Sequence, residues 1–410
     1  MSIVIIGAGH AGLTLAREIR ANCKATPITI ISRDAIRGYY KPNLSKALSM
    51  EKTPDQLVMK SAETIAQDLD VKLLSNVTVI DIDAEHKELR GLFNNTEESS
   101  VMTIPYHSLV LATGASPIRL PIERDATTEL LSINNLEDYE VFRERIQKNK
   151  KVLIIGAGFV GCELASDLAS NDYDVDIVDL CEWPLQRAMP EVMGTEIKKA
   201  MAEQGVTWHL GKSLTSVKTD QDNGKTAYLS DGTSIQTDAI VSAVGLVPNT
   251  RLASNAGVRV QRGIEVDALS QTSQTDIYAL GDCVEYKGAT LPFIMPATHA
   301  AKALAKTLTG TATELALPAL PVAVKISACP TVVCPPLNKK GIWQVQGAGM
   351  NLEAHFINED GLMSGFSLTG QCITKKNQLV AECLPALPAG VPENIGVPEN
   401  IAHNFTKRAG

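Results

Sequence analysis

The chain contains no pair of cysteines at the two-residue spacing of a zinc or thioredoxin-type site. Its 8 cysteines are scattered over 410 residues, which argues against a structural metal and for free thiols in a reducing compartment. No apolar run reaches the length of a membrane span. The strand-like pattern starts at Ile3 and leaves no room for a secretory leader, so a cytoplasmic protein is expected. Excess positive charge is also missing. Lys and Arg total 38 against 46 Asp and Glu, a formal net charge of −8, which disfavours nucleic acid or an anionic membrane as the main partner. A local basic patch could still dock an acidic protein. What is present is a hydrophobic content of 44%, ordinary for a globular chain, and a length too great for one core, implying two or three domains.

The most informative stretch lies mid-chain. Residues 152–155 are an apolar run, followed by Gly156-Ala157-Gly158-Phe159-Val160-Gly161-Cys162-Glu163. This reads as a buried parallel strand, a glycine turn and the first turn of a helix. Gly156 makes the turn, Gly158 lets backbone N–H groups approach a pyrophosphate, and Gly161 lets helix and strand pack closely. Small and apolar residues recur at helical spacing through Leu164, Ala165 and Leu168. A second apolar run, 175–178, ends at Asp179, placed to accept the hydrogen bond of a ribose 2′-hydroxyl and to repel a 2′-phosphate. Glu182 adds negative charge, and Arg187 is the only nearby cation in the sequence. NADH is the expected nucleotide.

The same device opens the chain: an apolar run at 3–6, then Gly7-Ala8-Gly9-His10-Ala11-Gly12, a helix with Leu13, Ala16 and Ile19 on one face, and a strand at 28–31. One such glycine motif is a weak signal, but here each copy has a strand before it and a helix and strand after it. Between the copies lie a loop, Lys41-Pro42-Asn43-Leu44-Ser45-Lys46, short strands at 71–74, 77–82 and 109–111, the turn Ala112-Thr113-Gly114, and an acidic helix over 137–147. Beyond the second copy come strands near Tyr228 and Ile240, Gly245 with Pro248 and Asn249, a strand at 277–280 ending in Gly281-Asp282, and a long alanine-rich helix opened by Pro296 and Ala297. Prolines at 318–321 mark a boundary. Short strands at 322–326, 343–345, 354–357 and 365–368 then predict a small α+β domain. The polar tail repeats Val-Pro-Glu-Asn-Ile at 391 and 397 and reads as disordered.

These five motifs in this order resemble the flavoprotein reductases with two dinucleotide domains, the glutathione-reductase-like fold. The resemblance covers about residues 1–317. It implies an α/β protein with two Rossmann-like domains, FAD in the first (1–117 and 246–317) and NADH in the inserted second (118–245). A C-terminal domain (318–388) and a tail (389–410) follow. The cysteine pair of disulfide reductases is absent from 39–49, and no C-terminal His–Glu base is found. Residues 41–46 instead resemble the Arg-Pro-Pro-Leu-Ser-Lys loop of reductases that serve small electron carriers, and residues 320–330 are similar to those of rubredoxin reductases. The chain thus resembles an NADH- and FAD-dependent rubredoxin reductase, a monomer passing electrons singly to an acidic rubredoxin and feeding an oxygenase such as an alkane hydroxylase. A ferredoxin-type reductase of another oxygenase system, or a slowly turning flavin NADH sensor, carries the same motifs.

The resemblance implies roles residue by residue. Gly7, Gly9, His10, Ala11 and Gly12 would cradle the FAD pyrophosphate. Arg33 and Asp34 would meet the adenosine ribose, Val79 the adenine through its backbone, and Lys41 a phosphate or ribose. Ala112, Thr113, Gly114, Gly281 and Asp282 would line the ribityl side, and the helix starting near Ile294 and Ala297 would point at the flavin pyrimidine edge with Lys325 adding charge. Gly156, Gly158, Phe159, Val160, Gly161, Asp179 and Gly245 would hold NADH. Lys46 beside flavin N5 is expected to form an ion pair with Glu163 beside the nicotinamide; the alternative for Glu163 is an ordinary acid at a helix start. Cys329 and Cys334 have the spacing of a redox pair, but in an extended run residues five apart face opposite sides. No thiol is expected in the electron path, and Cys162 and Cys283 read as packing residues.

Overall fold

The computed structural model describes residues 2–94, 100–125, 128–146, 150–219 and 224–387. The polar tract after Asn94 and the repeated tail lie outside these.

Each glycine motif sits at the end of a parallel sheet. In the first sheet Ile3–Ile6 is flanked by Ile28–Ile31 and Ser108–Leu111, with Lys72–Leu74 and Ile277–Ala279 at the edges. All four residues of Ile3–Ile6 are buried, because helices or loops cover both faces; this is why the strand reads as an unbroken apolar run and not as an alternation. The second sheet repeats the plan with Lys151–Ile155 between Asp174–Asp179 and Ala239–Ser242, and Val206–Leu210 outside. The chain leaves the first unit through Ala115–Pro117 and returns through Leu246–Pro248, and these two segments pair antiparallel. Thr113 Oγ1 donates to the Asn249 carbonyl, and Asn249 Nδ2 donates back to the Thr113 carbonyl, both at 2.8 Å.

The C-terminal unit is a five-stranded antiparallel sheet in the order Val322–Val324, Thr331–Cys334, Met363–Thr369, Asn351–Asn358, Gly341–Ala348. Three of these strands are longer than the sequence suggests, because Gly341, Gly347 and polar residues extend the hairpin beyond its apolar centre and Met363–Thr369 pairs alongside it. A helix, Lys376–Glu382, packs on the sheet through Leu379; its single buried position gave no periodic signal. One hydrophobic cluster runs from the second nucleotide unit (Ile154, Leu164, Ile177) into the C-terminal sheet (Val324, Val333, Ala354), so the two share a core.

Candidate functional site

The helices His10–Asn22, Phe159–Ala169 and Ile294–Leu308 all begin without a side-chain cap and without an acid in the first turn. Elsewhere the same chain caps helices with Thr53 and Ser61. Uncapped N-termini leave N–H donors and partial positive charge available to an anionic group. The two glycine loops make the approach possible. A Cβ on Gly12 would stand 2.0 Å from the Gly7 carbonyl oxygen, and one on Gly161 would stand 1.9 Å from that of Gly156. The positions of Gly9 and Gly158 are different: nothing lies within 4 Å of a Cβ there, so open space faces each helix start.

Around the first loop the structure gathers residues far apart in sequence. Gly7 packs on the Ala112 carbonyl and Gly281 on the Ala11 side chain. His10 Nε2 lies 3.1 Å from Thr298 Oγ1, one residue after Ala297 in the third uncapped helix. Burial, then Arg17, pulls the His10 pKa down, favouring the neutral ring. Lys41 Nζ donates to Asn134 Oδ1 at 2.8 Å. Burial lowers the Lys41 pKa against the pull of Asp282, and raises that of Asp282 against the pull of Lys41. These two half-buried groups of opposite charge lie beside the expected ribityl position. Arg33 and Asp34 pair with each other at 3.3 Å and are largely exposed; Val77 N–H donates to the Ser32 carbonyl, bringing the strand of Val79 alongside. The residues fit FAD in kind: uncapped helix starts, a glycine cradle, and a carboxylate for hydroxyl groups.

In the second loop, Asp179 Oδ2 accepts from Ala157 N–H at 2.5 Å and Oδ1 from Cys181 N–H at 2.7 Å. The carboxylate is thereby fixed at the cleft with lone pairs remaining for a ribose. Phe159 meets Phe293 edge to face, ring centroids 6.0 Å apart, so the second loop touches the start of the third uncapped helix. Val160 is exposed, and Gly245 has φ +118° with Ile118 beside it.

One expectation for Glu163 is corrected. It is the fifth residue of its helix, one turn in, so the alternative of an ordinary helix-start acid falls away. But it does not pair with Lys46. Glu163 is buried; its Oε2 accepts from Ser45 Oγ at 2.6 Å and from Lys325 Nζ at 2.5 Å, and its Oε1 from the Lys325 N–H at 3.1 Å. Lys41–Lys46 is a 3₁₀ helix, in which adjacent residues point about a third of a turn apart. Ser45 therefore turns inward while Lys46 is exposed and, among the described residues, forms no ion pair. Lys46 and Lys325 both line a cavity of about 260 Å³ that continues past Asp167. Asp167 holds the N–H groups of Leu48 and Ser49.

Ser45, Asn134 and Phe293 were not anticipated; only the uncommon phenylalanine before the Ile294–Leu308 helix offered a signal. Arg187 also has company. The Cys181 thiol, pushed up to about 11 by burial and by Asp179, is drawn back by both Arg187 and Lys339, the latter from the C-terminal unit. Cys162 and Cys283 are fully buried, burial pushes both thiols up, and each donates to a backbone carbonyl. No helix among the described residues is long and apolar enough to cross a membrane, and none of their His, Cys, Asp and Glu side chains form a metal-binding group.

Residues 1–304 match the pyridine nucleotide-disulphide oxidoreductase family, and residues 314–383 match the rubredoxin binding C-terminal domain. The rubredoxin-NAD(+) reductase of Alcanivorax borkumensis is 39% identical over 94% of this chain and 99% of its own length. That of Acinetobacter baylyi is 39% identical over 94% and 98%. The nitric oxide reductase FlRd-NAD(+) reductase of Aeromonas hydrophila is 34% identical over 90% and 92%. Among solved structures, the ferredoxin reductase of the CYP199A2 system from Rhodopseudomonas palustris superposes with a TM-score of 0.83 at 25% identity, covering 93% of this chain and 95% of that one. The chain belongs to the pyridine nucleotide-disulphide oxidoreductase family, among its rubredoxin-NAD(+) reductases.

Proposed function

We propose that the protein is a cytoplasmic, monomeric NADH-dependent flavoprotein that delivers electrons to an acidic rubredoxin, which in turn serves an oxygenase. Residues 1–117 and 246–317 form its FAD domain, 118–245 its NADH domain and 318–388 the domain that receives the carrier. The observation that carries this reading is the Glu163 junction: one buried carboxylate gripped by Ser45 from the first unit and Lys325 from the third. It lies in the helix that follows the second glycine turn, and no cysteine occupies residues 39–49.

FAD, held by the glycine turn at 7–12 and the starts of the His10–Asn22 and Ile294–Leu308 helices, would supply the redox chemistry between a hydride donor and a one-electron carrier. The chain's own part is placement and electrostatics. The uncapped N-terminus of Phe159–Ala169 binds the NADH pyrophosphate, and Asp179 selects the unphosphorylated ribose. Phe159 and Phe293 close the passage between the clefts and exclude water. The N-terminus of Ile294–Leu308 favours negative charge near the flavin pyrimidine edge. Lys325 offsets the charge of Glu163 and, with Ser45, holds its carboxylate fixed where the three units meet. Lys46, exposed at the rim, is left to meet an acidic partner, and turnover with the carrier weakens as salt rises.

The test is a spectrum of the flavin-loaded protein titrated with NADH and then with oxidised rubredoxin. Bleaching by NADH followed by recovery on adding rubredoxin supports the reading. A bleached complex that persists with every carrier tried supports a sensor instead.

A further inference from the structure

The cysteine spacing that stands out in the sequence, Cys329 with Cys334, does not form a pair. Cys329 faces the cluster shared with the second nucleotide unit, whereas Cys334 faces a separate cluster under the last helix. What Cys334 meets there is Cys383. Cys334 ends the strand Thr331–Cys334 and Cys383 closes the helix Lys376–Glu382. They are 5% and 7% exposed and lie in one small apolar cluster, each thiol close enough to shift the titration of the other. Around them are Leu379, Phe366 and Leu368. The remaining partners of the pair are simple: a backbone contact with Leu320 on Cys334, and the Cys383 N–H donating to the Leu379 carbonyl.

We propose that Cys334 and Cys383 are a reversible oxidation site at which peroxide forms a disulfide between the last helix and the second strand of the C-terminal sheet. The sulfur of Cys334 takes one oxygen of hydrogen peroxide as the O–O bond breaks and the first water leaves. The Cys383 sulfur then bonds to it, and that oxygen departs as a second water. Two thiols and one peroxide thus give one disulfide and two waters. The neighbouring Cys383 favours the thiolate of Cys334, the more nucleophilic form, whereas desolvation opposes it. The bond closes the loop that carries three of the five C-terminal strands, so it reinforces that unit as a whole. Cys162 and Cys283, whose thiols face backbone carbonyls, have no such outlet.

The flavin-loaded full-length protein is treated with hydrogen peroxide, alkylated, and read by intact mass and a non-reducing peptide map. The expected result is loss of two hydrogens, a 334–383 cross-link, and a rise of about 5 °C in the unfolding midpoint, all reversed by dithiothreitol. Cys383→Ala should gain neither cross-link nor the rise. Both thiols remaining alkylatable in wild type, a Cys329–Cys334 link, or oxygen added at Cys334 without a cross-link would each overturn the proposal. The wild-type map decides the matter even if the alanine variant does not fold.

Discussion

Lys325→Met is the most revealing single change in this protein. It removes the ammonium 2.5 Å from Glu163 Oε2 and leaves that carboxylate, 7% exposed, with one hydroxyl and one N–H. Breaking a buried ion pair in this way costs about 3–5 kcal/mol when both partners are fully desolvated. The Lys325 side chain is 28% exposed, so solvent screening brings the expected loss to roughly 2–3 kcal/mol. At about 2–4 °C per kcal/mol for a unit of this size, the first thermal transition should fall by roughly 4–12 °C. Glu163→Gln keeps the shape and removes the charge, so in the Lys325→Met background it should restore part of the loss. A double-mutant cycle followed by thermal and urea unfolding should then return a coupling of about 1–2 kcal/mol. Lys46→Met, at an exposed position, should stay within about 0.5 kcal/mol of wild type. Additive effects of the Lys325 and Glu163 changes, or a Lys46 variant as damaged as the Lys325 one, would refute the assignment of Lys325 as the partner.

Four further outcomes are expected. Gly161→Ala forces a Cβ to 1.9 Å from the Gly156 oxygen and should cost at least about 1–3 kcal/mol. Gly158→Ala has open space and should keep its unfolding midpoint while NAD⁺ affinity, measured by titration calorimetry, falls at least about tenfold. Asp179→Asn cannot accept from both Ala157 and Cys181, and the ratio of kcat/KM for NADH over NADPH should drop about tenfold or more. Burial raises the Glu353 pKa, but hydrogen bonds from Lys375 and His355 outweigh it and hold the carboxyl below its ordinary value. A depressed carboxyl contributes stability above its unfolded pKa and loses it as pH falls through the folded value. Glu353→Gln should therefore cost about 2 kcal/mol at neutral pH, a difference that fades below roughly pH 4, as read by urea unfolding across pH.

The parts of this protein legible in its sequence are those written in neighbouring residues. A buried strand, a glycine turn and a helix face occupy about a dozen positions, so Gly7 to Gly12 and Gly156 to Gly161 could be placed directly. The turn of Asp179 into its cleft was legible for the same reason. What stayed hidden depends on long-range contact. Glu163 and Lys325 are distant in the chain, and the choice of Lys325 over Lys46 turns on the pitch of a 3₁₀ helix that proline and glycine had marked only as a loop. Asn134 as the neighbour of Lys41 was likewise invisible. The spacing of Cys329 and Cys334 already implied opposite faces, as the two separate clusters bear out, but the nearness of Cys383 to Cys334 depends on the packing of the last helix and was out of reach.

The paired segments Ala115–Pro117 and Leu246–Pro248 place the exit and the return of the chain side by side. The first parallel sheet completes itself with Ile277–Ala279 only after that return, so everything between the two crossings is, for that sheet, one long excursion with its ends already joined. A foreign nucleotide-binding module spliced across this doorway would leave the order of strands in the first sheet untouched. The cost of such a graft would fall on the far side, where the C-terminal sheet would have to find a new wall to lean on.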